Sequence, residues 1–327
     1  MKSEWCTSPF DHLKSYFKDS IPSIILELQG GLSSAKNYKI TIDHHDYVLR
    51  VLNPSISIEV RQQEANAAMY AGERGIGPHV FYIDSDYNAL IMDFVSGKTL
   101  DFSVVNDQEK LYSLLQTIKQ LHKSTGQFPK GLTVFERIEL QVERLKQTEI
   151  PFPSKSIQDA LSKLKYLKKI FDQEPLVPCH NDLNALNIIF NEDIFKVIDW
   201  SDAGMGHVFN DLGFFALVNC MGKEGDCKIL NLYLGRVPSK KELDLLRYMK
   251  KVNALRIFSK NFPPYEAPIK NEKERAERMN ELEKMVWSRN LFGLDHYLDL
   301  HIKGQLNSRE LVISTALSAL RAFLDMD

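Results

Sequence analysis

Cysteine is scarce in this chain of 327 residues: Cys6, Cys179, Cys220 and Cys227, with no C-x-x-C pair and no metal-ligand spacing. That excludes a zinc-built or disulfide-stapled scaffold and leaves free thiols in a reducing compartment as the expectation. Long apolar runs are missing too, and nothing nears the roughly 20 residues that a membrane span needs. Glu4, Asp11, Lys14 and Lys18 interrupt any secretory leader, so a cytoplasmic protein is expected. Net charge is almost absent at −2. Nucleic-acid binding, which asks for a basic face, is not expected, and any charge selectivity must be local. Repeats and low-complexity segments are absent as well.

What is present is an ordinary folded composition, 44% hydrophobic and 26% charged, in a chain long enough for two domains. Ser8-Pro9-Phe10-Asp11 opens a helix that ends near 19–22. Strands are predicted over 24–28, 38–43 and 47–52, with a glycine turn at Gly30-Gly31-Leu32-Ser33-Ser34 and a second turn at His44-His45-Asp46. Asn53-Pro54 breaks the sheet, and a helix follows over 57–74, stopped by Gly75 and Gly77-Pro78. Two more strands, 80–83 and 89–94, precede a polar step at 95–99. Beyond it the pattern turns helical: a helix capped at Asn106/Asp107, then 135–147, 157–171, 210–220, 228–234, a capping-box helix from Ser239, a charged surface helix over 271–284, and 307–324. The class is therefore α+β. Residues 1–95 form a small lobe of five antiparallel strands with one main helix, and residues 96–327 a larger, mostly helical lobe.

One stretch carries the chemistry. Cys179-His180-Asn181-Asp182-Leu183-Asn184 leads through Asn187 into two short strands, 188–190 and 195–198, and on to Asp199. Asp, Asn five positions on and Asp seventeen positions on are the set that kinase-type phosphoryl transfer requires. Asp182 would accept the proton of a substrate hydroxyl, while Asn187 and Asp199 would hold Mg²⁺ on the phosphates of ATP. His180 reads as a prop for the loop rather than a base. Asp211 reads as structural, through a helix cap or a bond back to the loop backbone.

The upstream lobe supplies matching parts. Backbone amides of Gly30 and Gly31 and the hydroxyls of Ser33 and Ser34 are candidates for phosphate contact. Arg50, on the third strand, suits the α- and β-phosphates, with Glu64 in the next helix as its ion-pair partner. Glu59 competes for that role but sits where a helix favours an acid of its own. For the acceptor, Trp200, Asp202 and Trp287 are candidates alongside Phe214, Phe215, Tyr265 and Tyr297, since aromatic faces and a carboxylate suit a cationic ammonium.

At these residues the chain resembles the choline kinase and aminoglycoside phosphotransferase superfamily, above all its bacterial choline kinase-like branch. The matching pieces are Gly30-Gly31-Leu32 with Asn37-Tyr38, Tyr47-Val48-Leu49-Arg50, Arg61-Gln62-Gln63-Glu64 ahead of Gly75-Ile76-Gly77-Pro78, and Phe94-Val95-Ser96-Gly97-Lys98-Thr99-Leu100. His180-Asn181-Asp182 with Asn187, Ile198-Asp199-Trp200, Ala203-Gly204-Met205-Gly206 and Asp211-Leu212 complete the set, so the likeness covers residues 28–213. The resemblance implies a two-lobed protein-kinase-like fold and MgATP-dependent phosphorylation of a small-molecule hydroxyl. It also implies that an arginine at position 50 is usual, and that the backbone of Asp93, Phe94 and Val95 receives adenine. Two departures stand out: the glycine turn is one residue longer than the family's, and Ser201 replaces the acid that follows the Asp-Trp pair, with Asp202 next in line.

The leading expectation is therefore a small-molecule kinase acting on an amino-alcohol such as choline or ethanolamine. An aminoglycoside acceptor ranks second, because a polycation asks for an acidic cleft that the charge balance does not advertise. A protein kinase is disfavoured by the missing Asp-Phe-Gly and Ala-Pro-Glu motifs. A non-catalytic nucleotide-binding protein on the same scaffold is the alternative of another class.

Overall fold

In a computed structural model of the chain, residues 9–18, 21–28, 34–191, 194–219, 221–288 and 308–325 are described. They divide into two compact units, 1–131 with 185–204, and 132–184 with 205–327. The first unit is thus discontinuous in sequence.

In that unit, β1 (Ile24–Leu28), β2 (Lys36–Ile42), β3 (His45–Val51), β4 (Val80–Ile83) and β5 (Ala89–Asp93) form an antiparallel sheet in the order β1-β2-β3-β5-β4. Period-two alternation turns Ile40, Ile42, Leu49 and Val51 inward. They meet Leu13 of α1 (Pro9–Phe17), with Ala89 and Ile91 of β5 completing the cluster. Each large apolar side chain buried there contributes about 1.5–3 kcal/mol relative to exposure.

The β2–β3 turn lies one residue earlier than the sequence suggests. Asp43 and His44 both take positive φ, 52° and 64°, and Ile42 pairs with His45. Two left-handed residues make the turn whose twist matches a hairpin, and Asp tolerates that conformation. His45 and Asp46 are thereby released into the strand.

Between β3 and β4 runs α2 (Ile58–Glu73), preceded by Ser57 as cap and closed by Arg74. It buries Glu64 on a face otherwise built from Ala65, Ala67, Ala68, Tyr70 and Ala71.

The chain continues through β6 (Lys98–Thr99), a short α3 (Phe102–Asn106) absent from the sequence expectation, and α4 (Gln108–Lys123). A later hairpin, β7 (Ile188–Asn191) and β8 (Ile194–Val197), adds to β6 in the order β6-β7-β8. Gly97 makes that pairing possible. Its φ is +154°, and a Cβ there would lie 2.6 Å from the Phe190 carbonyl oxygen. The hairpin is also tied to the end of α2, because the Val197 amide donates to the Ile76 carbonyl at 2.9 Å.

The second unit is helical. Its elements are α5 (Val134–Lys146), α6 (Ser154–Phe171), α7 (Val208–Val218), α8 (Lys223–Leu234), α9 (Lys240–Asn261), α10 (Glu272–Val286) and α11 (Arg309–Leu324). Long α9 is the hub, packed by α5, α7 and α11. Capping boxes at Thr133/Glu136 and Ser239/Glu242 start α5 and α9. Among the described residues, no helix is long and apolar enough to cross a membrane.

Candidate active site

Arg50 organises the first unit's site. It stands on β3, opposite Leu90 of β5 and Asn37 of β2, and is only 8% exposed. Its guanidinium donates through Nε to Glu64 Oε1 at 2.6 Å, through Nη2 to Asp199 Oδ1 at 2.9 Å and through Nη1 to Asn37 Oδ1 at 3.3 Å. A buried cation is tolerated only when paired in this way. Burial works against the Arg50 charge, but the Glu64 and Asp199 carboxylates outweigh it and hold the group above its ordinary value. Burial likewise pushes the Glu64 carboxyl up, opposed by Arg50 and reinforced by the charges of Asp199 and Asp202. Glu59 stays in the first turn of α2, with Ser57 among its hydrogen-bond partners.

Asp199 and Asn187 are neighbours because of the β7–β8 hairpin. The Ile188–Val197 pairing leaves them just beyond its open end, where the Ile198 amide donates to the Asn187 carbonyl at 2.9 Å. Asp199 holds a left-handed backbone with φ 59°, an uncommon conformation for a residue with a side chain. Both residues, with Arg50, Glu64 and Asn37, line a cavity of about 420 Å³. Its remaining walls are largely apolar, including Val48, Ala68, Leu90, Met92, Ile189 and Ile198.

Asp93, Phe94 and Val95 border the same cavity at the end of β5. The Phe94 amide is committed to the Asp46 carbonyl at 3.2 Å, whereas the Val95 amide has no partner among the described residues. Trp200 also lines the cavity; it is buried, and its indole N–H donates to the Val197 carbonyl at 3.1 Å. Asp202, half-buried, lies in the same short turn. Gly30, Gly31 and Ser33 lie outside the described residues, and Ser34 is exposed.

The loop bearing Asp182 belongs to the second unit and is held from several directions. Asp211, fully buried in the first turn of α7, accepts from the His180 amide at 2.9 Å and the Asn181 amide at 2.7 Å. It does not cap the helix; that position is His207's. The Asp182 amide donates to His180 Nδ1 at 3.3 Å, which places the proton of a neutral His180 on Nε2. Asn181 takes a left-handed φ of 64°, and its side-chain oxygen accepts from Asn210 Nδ2 at 2.9 Å. A Cβ on Gly206 would come within 2.7 Å of that same oxygen, so glycine is required there for space. Burial pushes the Cys179 thiol well above its ordinary value, with the Asp211 charge adding to it, which argues against thiolate chemistry.

The Asp182 carboxylate meets two cations from α9. Arg256 Nη2 donates to Oδ1 at 3.0 Å, and Lys260 Nζ lies 3.7 Å from Oδ2. Neither cation is anticipated from the sequence. The available signal was Ala254-Leu255-Arg256-Ile257-Phe258, a lone cation in an apolar run, which asks for a buried partner. Arg256 also covers the Phe214 ring, 4.9 Å from its centroid, so that aromatic face is in use. Trp287 follows the last turn of α10 and is 53% exposed, Phe215 is core, and Tyr297 lies outside the described residues.

Residues 24–234, more than half of the chain, match the model of the phosphotransferase enzyme family. The chain belongs to that family. Among sequence relatives, it is 23% identical to Protein LicA of Haemophilus influenzae over 231 residues, 70% of this chain and 67% of that protein. Among solved structures, a choline/ethanolamine kinase family protein from Mesorhizobium loti superposes with a TM-score of 0.62 at 18% identity, covering 96% of this chain and 99% of that one. An ADP-bound aminoglycoside phosphotransferase gives a TM-score of 0.60 at 19% identity, over 86% and 97% of the two chains. These likenesses give the fold as kinase-like: a five-stranded antiparallel sheet in the N-terminal part, a helical C-terminal part.

Proposed function

We propose that this phosphotransferase uses MgATP to phosphorylate the hydroxyl of a small amino-alcohol, with choline and ethanolamine as the leading acceptors. One observation carries the nucleotide half of the reading: a largely apolar cavity whose lining includes Asn187, Asp199 and Arg50, the last two joined at 2.9 Å. Its chemistry fits ATP. Largely apolar walls suit a purine, and the Val95 amide and the Asp93 carbonyl are the expected contacts for its edge. Arg50 suits the phosphates, and the amide oxygen of an Asn and the carboxylate of an Asp are donors that suit a hard divalent cation. Asn187 and Asp199 would hold Mg²⁺, which supplies charge neutralisation at the phosphates when bound.

Asp182 is the proposed base. As the acceptor oxygen bonds to the γ-phosphorus, its proton passes to the Asp182 carboxylate and the bond to the departing ADP breaks. Glu64 keeps Arg50 fixed on its strand, and Asp211 with His180 keeps the Asp182 loop in one conformation. The amino-alcohol assignment draws on the likeness to a choline/ethanolamine kinase family protein. The aminoglycoside alternative draws on the other structural neighbour.

The test is ADP release over a panel of choline, ethanolamine, thiamine, homoserine, sugars and aminoglycosides, with Mg²⁺ present. Saturable turnover of choline or ethanolamine is expected. Turnover of aminoglycosides alone would move the acceptor class, and tight MgATP binding without transfer to any acceptor would sink the enzymatic reading.

A further inference from the structure

Helix α9 presents Asn253, Arg256 and Lys260 at positions i, i+3 and i+7, which share one face. Asn253 and Arg256 are buried, and each reaches the Asp182 loop by a different route. Asn253 Nδ2 donates to Asn210 Oδ1 at 3.1 Å, and Asn210 passes the restraint to Asn181, the residue before Asp182. That relay holds the loop backbone. Arg256 acts on the carboxylate itself, at 3.0 Å from Oδ1.

The cation is also fixed in its own right. It is 3% exposed, and its planar group lies over Phe214. One turn on, Ser259 Oγ donates to Gln141 Oε1 of α5 at 2.6 Å, anchoring this stretch of helix. An aspartate carboxylate, carried on two rotatable bonds next to solvent, samples several orientations. A guanidinium immobilised by ring, helix and burial selects one of them. The aligned geometry of a proton-accepting oxygen is what general-base catalysis depends on.

We propose that Arg256 is a positioning residue for phosphoryl transfer, holding the Asp182 carboxylate in the orientation that accepts the acceptor's proton. The inference rests on the reading of Asp182 as base, and the controls separate the two. The arginine stands outside the matched family segment, on a helix that the motif pattern does not cover.

The experiment measures ADP release with choline as acceptor, at varied ATP, for wild type, Arg256→Ala, Arg256→Lys and Asp182→Ala. Arg256→Ala is expected to lower kcat by about 10²-fold, the scale of a small misplacement of a reacting group, with KM for ATP within about two-fold. Guanidinium chloride at tens of millimolar is expected to restore part of that rate, which a purely structural loss would not allow. Wild-type kcat in Arg256→Ala, or a loss that guanidinium leaves untouched, overturns the proposal. Should Arg256→Ala fail to fold, Arg256→Lys decides. A reduced kcat with ATP KM unchanged supports the role, because the fork is lost while the charge is kept; wild-type kcat overturns it. An active Asp182→Ala defeats the base assignment itself, whereas an inactive Asp182→Ala beside a fully active Arg256→Ala defeats this inference alone.

Discussion

Arg50 and Asp199 are 149 positions apart in sequence and 2.9 Å apart in space, guanidinium Nη2 to carboxylate Oδ1. The same guanidinium is bound to Glu64 at 2.6 Å, so a strand, a helix and a residue just past a distant hairpin converge on one buried cation. Neither acid is placed by its own element alone.

This arrangement predicts strong coupling in stability. Arg50→Ala leaves Glu64 buried without its partner, and breaking a buried pair from one side costs about 3–5 kcal/mol. Glu64→Ala should be comparably harmful. The double variant should be less destabilised than the sum of the singles, by more than about 1 kcal/mol. Urea unfolding of all four proteins measures this, and simple additivity would show that the pair is not a unit.

Asp182 and Asp199 should fail differently. Asp182→Ala is expected to lower phosphoryl transfer by about 10²–10⁴-fold, the range for a lost general base, while ATP still binds. Asp199→Ala should weaken Mg²⁺-dependent nucleotide binding as well as turnover. Calorimetric titration with ATP, with and without Mg²⁺, separates the two. Equal loss of nucleotide affinity in both variants would remove the division of labour.

Asp211 should matter to folding as much as to rate. Its carboxylate oxygens each satisfy one buried loop amide, of His180 and Asn181. Asparagine has one acceptor oxygen and would turn an NH₂ group toward the other amide. Asp211→Asn is expected to cost about 2 kcal/mol, the scale of one buried donor left unmade. An unchanged denaturation midpoint would contradict this.

The α9 cap carries a pH signature. Arg236 first, then the Ser239 backbone and hydroxyl, hold the Glu242 carboxyl down at about 2, against an ordinary value of 4.5. A depressed folded-state value means that the stabilisation is fully present above pH ~4.5 and is lost as pH falls toward ~2. Glu242→Gln should therefore flatten the acid limb of the stability–pH curve in this window while changing little above it. Thermal melts from pH 2 to 6 provide the check, and parallel limbs in the two proteins would rule out the cap as the source.

Much of this was readable in the sequence, for identifiable reasons. Alternating apolar residues over Lys36–Ile42, with turn formers beyond, specify a hairpin; only the choice of turn residues, set by which side chains accept positive φ, was off by one. Asn53-Pro54 and Gly75 bracket α2 so firmly that Glu64 fell on its buried face and Glu59 in its first turn, and the Arg50–Glu64 pair follows. Helix α8 begins at Lys223, five residues before the expected start, because the acids Glu224 and Asp226 favour its first turn despite Gly225. Arg256 stayed hidden for a different reason. Helix α9 is buried on several sides, so its apolar residues mark no single stripe, and polar groups facing the Asp182 loop read as solvent-facing ones.

The first unit's break in sequence has a consequence for synthesis. The sheet, α2 and α4 leave the ribosome early, yet Leu186, Asn187, Ile189, Ile198 and Asp199 close the cavity and arrive only later. Until then Arg50 and Glu64 are without their third charge, and β6 has no strand beside it. A nascent chain halted before position 199 should therefore expose an unfinished edge to chaperones, whereas one released past position 204 can complete this unit with the helical remainder still emerging.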